Sequence, residues 1–153
     1  MTDPTAPLAP ASTTARPADR YQRGLELMDR IQGLEAGQKI RDGFAAISPD
    51  FGRYVIEAGF ADVYDLAGLT LAQRQLINVA VLTALGGVEN QLAVHVRGAL
   101  NVGLRPTEIL ETMFHVALYA GHPRTGNGLQ VAAQVFAERG LQTTEPQHST
   151  EEA

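Results

Sequence analysis

Apolar residues recur at helical spacing through the middle of the chain, and Gly, Pro or a capping side chain interrupts them at intervals. No stretch carries the alternation of a strand. The pattern predicts an all-α fold, a compact bundle of about six to eight short helices. The first covers residues 19–31, with Leu25, Leu27, Met28 and Ile31 apolar and Gly33 near its end, and a second follows around 36–46. Ser48 as N-cap and Pro49 in the first turn open a third over 50–58, which Gly59 is expected to end. After a short element around 61–66, Thr70 and Gln73 form a capping-box pattern that opens a helix running to Leu85, where Gly86 and Gly87 break it. Residues 89–102 come next, with Glu89 in the first turn and Gly103 in the C-cap region. Pro106 opens a helix through Ala120, stopped by Gly121. Pro123 or Thr125 starts the last, with Leu129, Ala132, Val135 and Phe136 apolar up to Gly140.

The ends differ from this middle. Residues 1–18 are mostly Pro, Ala, Thr and Ser, and 142–153 are polar and acidic, so neither can bury enough apolar surface to offset its ordering entropy. Two loose tails are expected to flank one domain, 19–141. Residues 75–88 form the longest uncharged run, which includes Asn78 and Thr83 and falls short of the roughly 18 apolar residues a membrane span needs. It is expected to be the most buried helix. Segments such as LINVAVLTAL and VALYA are apolar nearly all the way round, more than a core of roughly 120 residues can hide. Self-association would bury the excess, and a pocket between helices or between protomers is then a natural ligand site.

Composition removes several function classes. The chain has 153 residues, a net charge of −5, no cysteine and one lysine, Lys39. Without a clustered Lys/Arg stripe it lacks the electrostatic footprint that binding nucleic acid demands. Without cysteine there is no thiolate ligand and no thiol redox chemistry. The N-terminal segment has neither an apolar core nor an early basic cluster, so no secretion signal or membrane anchor is expected and the cytoplasm is the default compartment.

Against this background Glu89, His95 and Arg97 stand out. They follow directly on the uncharged run, and charge near a core is costly unless it is paired or used.

From about Phe51 to Glu138 the chain resembles the carboxymuconolactone decarboxylase family, within the alkylhydroperoxidase-like all-α superfamily. The segments GFADVYDLAGLT, LINVAVLTALGG, ENQLAVHVRGALNVGL and EILETMFHVALYAGHP carry that resemblance, in the family's order. It implies short helices assembled into trimers or hexamers. Peroxidase members of the superfamily carry a Cys-x-x-Cys ahead of the histidine, but here Gln91 and Val88 stand four and seven residues before His95, so thiol-dependent peroxide reduction has no nucleophile. Decarboxylase members carry a glutamate there, and Glu89 stands six residues before His95. The resemblance therefore implies a cofactor-independent lyase acting on a small carboxylated lactone or related ring acid. Two other readings remain beside it: a noncatalytic oligomeric relative that binds a small metabolite, and peroxidase-like activity without the cysteine pair.

Loss of CO₂ leaves an electron pair that must pass toward a carbonyl. The site then needs a cation for the carboxylate, a donor for the developing enolate and a proton source. His95 suits the proton-transfer role, since its ordinary pKa lies near operating pH, and Glu89 is expected as its catalytic partner. Geometry objects to direct contact within one helix, because six residues put the side chains about 120° apart in projection and about 9 Å apart along the axis. A frayed helix start, a third group or a neighbouring protomer would have to complete the pair. Each residue also has an ordinary reading. His95 would be a satisfied core or interface histidine, and Glu89 a helix N-terminal acid. Arg97 would be a salt-bridge partner on another face, and Arg74 a first-turn arginine.

Arg74, Arg97, His115 and Tyr119 are the candidate substrate-binding residues. Glu111, His115 and Tyr119 fall at i, i+4 and i+8 on one helix stripe, either lining the pocket of His95 or forming a Glu–His ion pair beside a buried tyrosine. With no strong third ligand beside them, no metal is expected.

Overall fold

The computed structural model describes residues 17–141, and the expected tails lie outside these residues except for Pro17 and Ala18. Those two belong to the first turn of α1 (Pro17–Gln32), where a proline is preorganised for helix and has no N–H to leave unpaired. The other elements are α2 (Leu34–Ile47), α3 (Pro49–Tyr54), a π-helical segment (Val55–Tyr64), α4 (Leu71–Leu85), α5 (Glu89–Asn101), α6 (Pro106–Ala120) and α7 (His122–Glu138). The all-α expectation holds, with seven α-helices and no strand among the described residues.

The local signals act as read. The Thr70 hydroxyl accepts the Gln73 N–H at 3.2 Å and Gln73 Oε1 accepts the Thr70 N–H at 2.9 Å, a reciprocal cap worth about 1 kcal/mol. Gly86 ends α4 with φ of +66°, a left-handed backbone that costs a side-chain-bearing residue energy. Gly59 does not end the third helix as expected. The chain continues through it in the wider turns of the π segment, whose extra residue per turn re-aims the side chains that follow.

α4, α5, α6 and α7 pack together around Val79, Val96, Ile109, Met113, Val135 and Phe136, all of them fully or almost fully buried. A second core joins α1 to the π segment through Leu27, Met28, Ile31, Ile56 and Phe60. Two small residues let these layers close. A Cβ on Gly24 would run into the backbone oxygen of Ile56, and one on Gly98 would stand 3.0 Å from Ile31 Cγ2 and 3.3 Å from Gln75 Oε1. Polar contacts fasten the outer helices. Arg20 pairs with Asp62 and, at 3.3 Å, with Glu57; Arg41 meets Asp29 at 2.6 Å; and Asn101 Nδ2 donates to the Ile31 carbonyl at 2.9 Å.

α4 corrects one expectation. It is not buried all round: Ile77, Val81 and Leu85, one row at i, i+4 and i+8, are exposed, while the polar Arg74, Gln75 and Thr83 face inward. Phe114 and Leu118 of α6 are likewise exposed. No helix among the described residues is long and apolar enough to cross a membrane.

Candidate functional site

A cavity of about 400 Å³ opens between α1, α2, the π segment and the first half of α5. Its walls are apolar: Met28 from α1, Ile40 and Phe44 from α2, and Val55 and Phe60 from the π segment. His95 lines it from α5, together with Gln91, Asn90 and Val94, while Gln32 and Lys39 supply the remaining polar groups. The imidazole thus borders a hollow between helices of one chain.

What orients the ring comes from α4. His95 Nδ1 lies 3.0 Å from Gln75 Oε1 and 3.2 Å from Asn78 Nδ2, and the same Asn78 amide donates to the Tyr64 hydroxyl at the end of the π segment. In one tautomer Nδ1–H donates to Gln75; in the other Nδ1 accepts from Asn78. Either way Nδ1 is committed to the protein, and Nε2, which makes no hydrogen bond among the described residues, is the atom left for a ligand. Burial pushes the His95 pKa below its ordinary 6.5, so the resting ring is neutral at pH 7. Burial likewise raises the Tyr64 phenol above its ordinary 10.0, against the opposing pull of the Asn78 hydrogen bond and the Arg74 guanidinium, so it stays protonated. The buried Gln75 Nε2 has no hydrogen-bond partner among the described residues, which leaves this polar cluster one hydrogen bond short.

The other candidate residues fall elsewhere. Glu89 is exposed at the first turn of α5, where its Oε1 accepts the Gly87 N–H at 3.2 Å, and it does not line the cavity of its own chain. The geometric objection to a direct Glu89–His95 contact thus stands, and Gln75 and Asn78 are the third groups that complete the histidine's surroundings. Arg74 is buried and donates to the Leu66 carbonyl at 2.7 Å, pinning the loop before α4 rather than reaching the cavity. Arg97 holds Glu138 of α7 through two hydrogen bonds of 2.7 and 3.1 Å.

His115 and Tyr119 lie 5.6 Å apart between ring centroids, their planes tilted by 51°, on the outer face of α6, and Tyr119 is 83% exposed. Both readings of that stripe are corrected within one chain. No Glu111–His115 ion pair forms among the described residues, the tyrosine is not buried, and neither ring meets the His95 cavity. An exposed outer face of α6 cannot turn toward a hollow bounded by α1, α2 and α5.

Sequence reasoning missed Gln75, Tyr64 and Lys39 as site residues. A signal existed for the first, since Gln75 and Asn78 are amides at i, i+3 in an otherwise apolar helix run, where a polar group needs a partner.

The model of the carboxymuconolactone decarboxylase family matches residues 49–134, from α3 into α7. The chain is 30% identical over 122 residues to a 4-carboxymuconolactone decarboxylase from Acinetobacter baylyi, covering 80% of this chain and 90% of that protein. It is 33% identical over 85 residues to an uncharacterized 15.0 kDa protein of Paracoccus denitrificans, covering 55% of this chain and 63% of that one. It is 24% identical over 103 residues to a nitrosuccinic acid decarboxylase of Metarhizium robertsii, covering 67% and 71%. Together the family match and the two decarboxylases support a decarboxylase-like function.

Proposed function

The chain belongs to the carboxymuconolactone decarboxylase family, and we propose that it is a cofactor-independent carbon–carbon lyase that removes CO₂ from a small carboxylated lactone or related ring acid, with His95 moving the proton. The observation that carries this reading is the placement of His95, with Nδ1 held by Gln75 and Asn78 and the ring bordering an apolar cavity.

In the reaction the bond between the ring carbon and the carboxylate breaks, CO₂ departs, and the electron pair passes into the conjugated carbonyl as an enolate. The carbon then takes up one proton. The neutral ring first takes a proton from solvent at the cavity mouth onto Nε2, while Nδ1–H donates to Gln75, and then hands that proton to the carbon, so each turnover consumes one solvent proton and the ring ends neutral. Burial favours this, because an imidazolium destabilised by burial is a stronger acid than one in water. The apolar walls around Phe44 and Phe60 exclude water and strengthen any hydrogen bond from the ring to the enolate oxygen. Gln75 and Asn78 fill the orienting role expected of Glu89, which would join the site only from a neighbouring protomer.

The working form is a homo-oligomer, a trimer or hexamer, supported by the exposed Ile77, Val81 and Leu85 of α4 and Phe114 and Leu118 of α6. The compartment proposed is the cytoplasm. The test is CO₂ release, with the accompanying ultraviolet change, from a panel of carboxylated lactones and ring acids, for wild type and His95→Ala. Turnover by the wild type that is lost in an intact oligomer of the variant supports the lyase. A wild type inert to the whole panel would make the protein a metabolite-binding relative.

A further inference from the structure

We infer that the ligand of the His95 cavity carries a single carboxylate and an apolar body larger than one small ring, with the carboxylate at Lys39 and the body between α1, α2 and the π segment. This rests on the lyase reading and narrows its substrate class.

Charge supports the single carboxylate. Lys39, the chain's only lysine, is the one cationic side chain among the described residues that borders the cavity. Neither arginine expected to clamp a carboxylate borders the cavity: Arg74 donates to the Leu66 carbonyl and Arg97 pairs with Glu138. Arg30 and Arg139 line a separate surface cleft that shares Lys39 and Gln32 with the cavity but does not include His95. Within the cavity itself a second ionised carboxylate would lie against Met28, Phe44 or Phe60 with no cation to meet it, and an unpaired charge in apolar surroundings is strongly disfavoured. Lys39 is also available. Its ammonium meets Glu35 at 2.7 Å, but both side chains are largely exposed and such a pair is screened and weak, so a ligand carboxylate can replace Glu35 when the ligand's apolar body, by covering the cavity walls, supplies the affinity that Glu35 lacks.

Size and lining support the apolar body. About 400 Å³ lies in the range of cavities that enclose drug-sized molecules, and one five-membered lactone would leave much of it to be filled by water against aliphatic and aromatic walls. An apolar body covering those walls removes that surface from water, which favours binding in proportion to the area covered.

The test is calorimetric titration of the full chain with four probes: 2-naphthoate, 2,6-naphthalenedicarboxylate, benzoate and methyl 2-naphthoate. The inference expects 2-naphthoate to bind tightest, the dicarboxylate at least tenfold weaker and benzoate weaker than naphthoate. Lys39→Met, at an exposed position where folding is not at risk, should weaken naphthoate and abolish its advantage over the neutral ester. Naphthoate should also shift the resonances of Phe44, Phe60 and the His95 ring. The inference is overturned if the dicarboxylate binds as well as naphthoate, if Lys39→Met changes nothing, or if no probe enters because a second protomer's side chains fill the cavity. Occupancy is read without turnover, so these results leave the CO₂ assay to decide the lyase reading separately.

Discussion

His95 Nδ1 lies 3.0 Å from Oε1 of Gln75, an amide with no solvent exposure at all, and through this contact α4 sets the orientation of a ring carried by α5. A fully buried amide has nowhere else to satisfy its oxygen, so its removal is felt at the histidine. Gln75→Leu should cost about 1–3 kcal/mol of stability and lower kcat more than it changes KM. Gln75→Glu should raise the His95 pKa, because a carboxylate beside Nδ1 favours the imidazolium. An NMR titration of the ring, with nitrogen shifts reporting the tautomer, checks both. An unchanged tautomer and pKa in both variants would remove Gln75 from the site.

Burial of His95 makes stability fall on the acid side. Above pH 6.5 the ring is neutral both folded and unfolded and contributes nothing. As pH drops through 6.5 the unfolded chain binds a proton that the folded chain, with its lowered pKa, does not. Stability should therefore decline between pH 6.5 and the lower folded-state value, with a slope from this group of at most about 1.4 kcal/mol per pH unit. Urea unfolding between pH 7.5 and 5 should show that decline reduced in His95→Gln. Parallel curves for the two proteins would mean that the ring is freely hydrated.

Gly98 sits where α1, α4 and α5 meet. A Cβ there would stand 3.0 Å from Ile31 Cγ2, 3.3 Å from Gln75 Oε1 and 3.4 Å from Gln32 Nε2. Alanine gains up to about 1 kcal/mol of helix propensity over glycine, but crowding three fully or nearly buried neighbours costs about 1–3 kcal/mol, so crowding wins. Gly98→Ala should lower the urea midpoint and move the His95 resonances together. A more stable variant with an unmoved histidine would show slack at this junction.

The inverted burial of α4 predicts the effect of a charge on its outer row. Val81→Glu should leave the helix content intact, since the side chain is half exposed, yet reduce the mass measured by light scattering to that of a smaller species. The same mass before and after would remove this row from the proposed subunit contact.

Much of the architecture was legible because its punctuation is local. The Thr70–Gln73 cap, the glycines at 86, 103 and 121, and the prolines at 49 and 106 each fix a boundary through neighbouring residues alone. Gly59 misled, because glycine can also pass a helix through a widened turn, and the choice is made by packing of the π segment on α1, far away in sequence. The site was half legible for the same reason. His95 was found from its own helix, but the cavity walls come from α1, α2 and the π segment. Only tertiary contacts show that Arg74 turns to Leu66 and Arg97 to Glu138. Burial of Gln75 beside exposed Ile77 also defies a rule that sorts residues by hydrophobicity, and the row left outside is the one proposed above for subunit contact.

The central claim, that the His95 ring moves the proton in the cavity, is tested most directly by chemical rescue. On a substrate that the wild type decarboxylates, His95→Ala should release CO₂ about 10²- to 10⁴-fold more slowly, and free imidazole, which fits the space the side chain vacates, should restore part of the rate with saturation. A His95→Ala protein that turns over at the wild-type rate without imidazole would contradict the account.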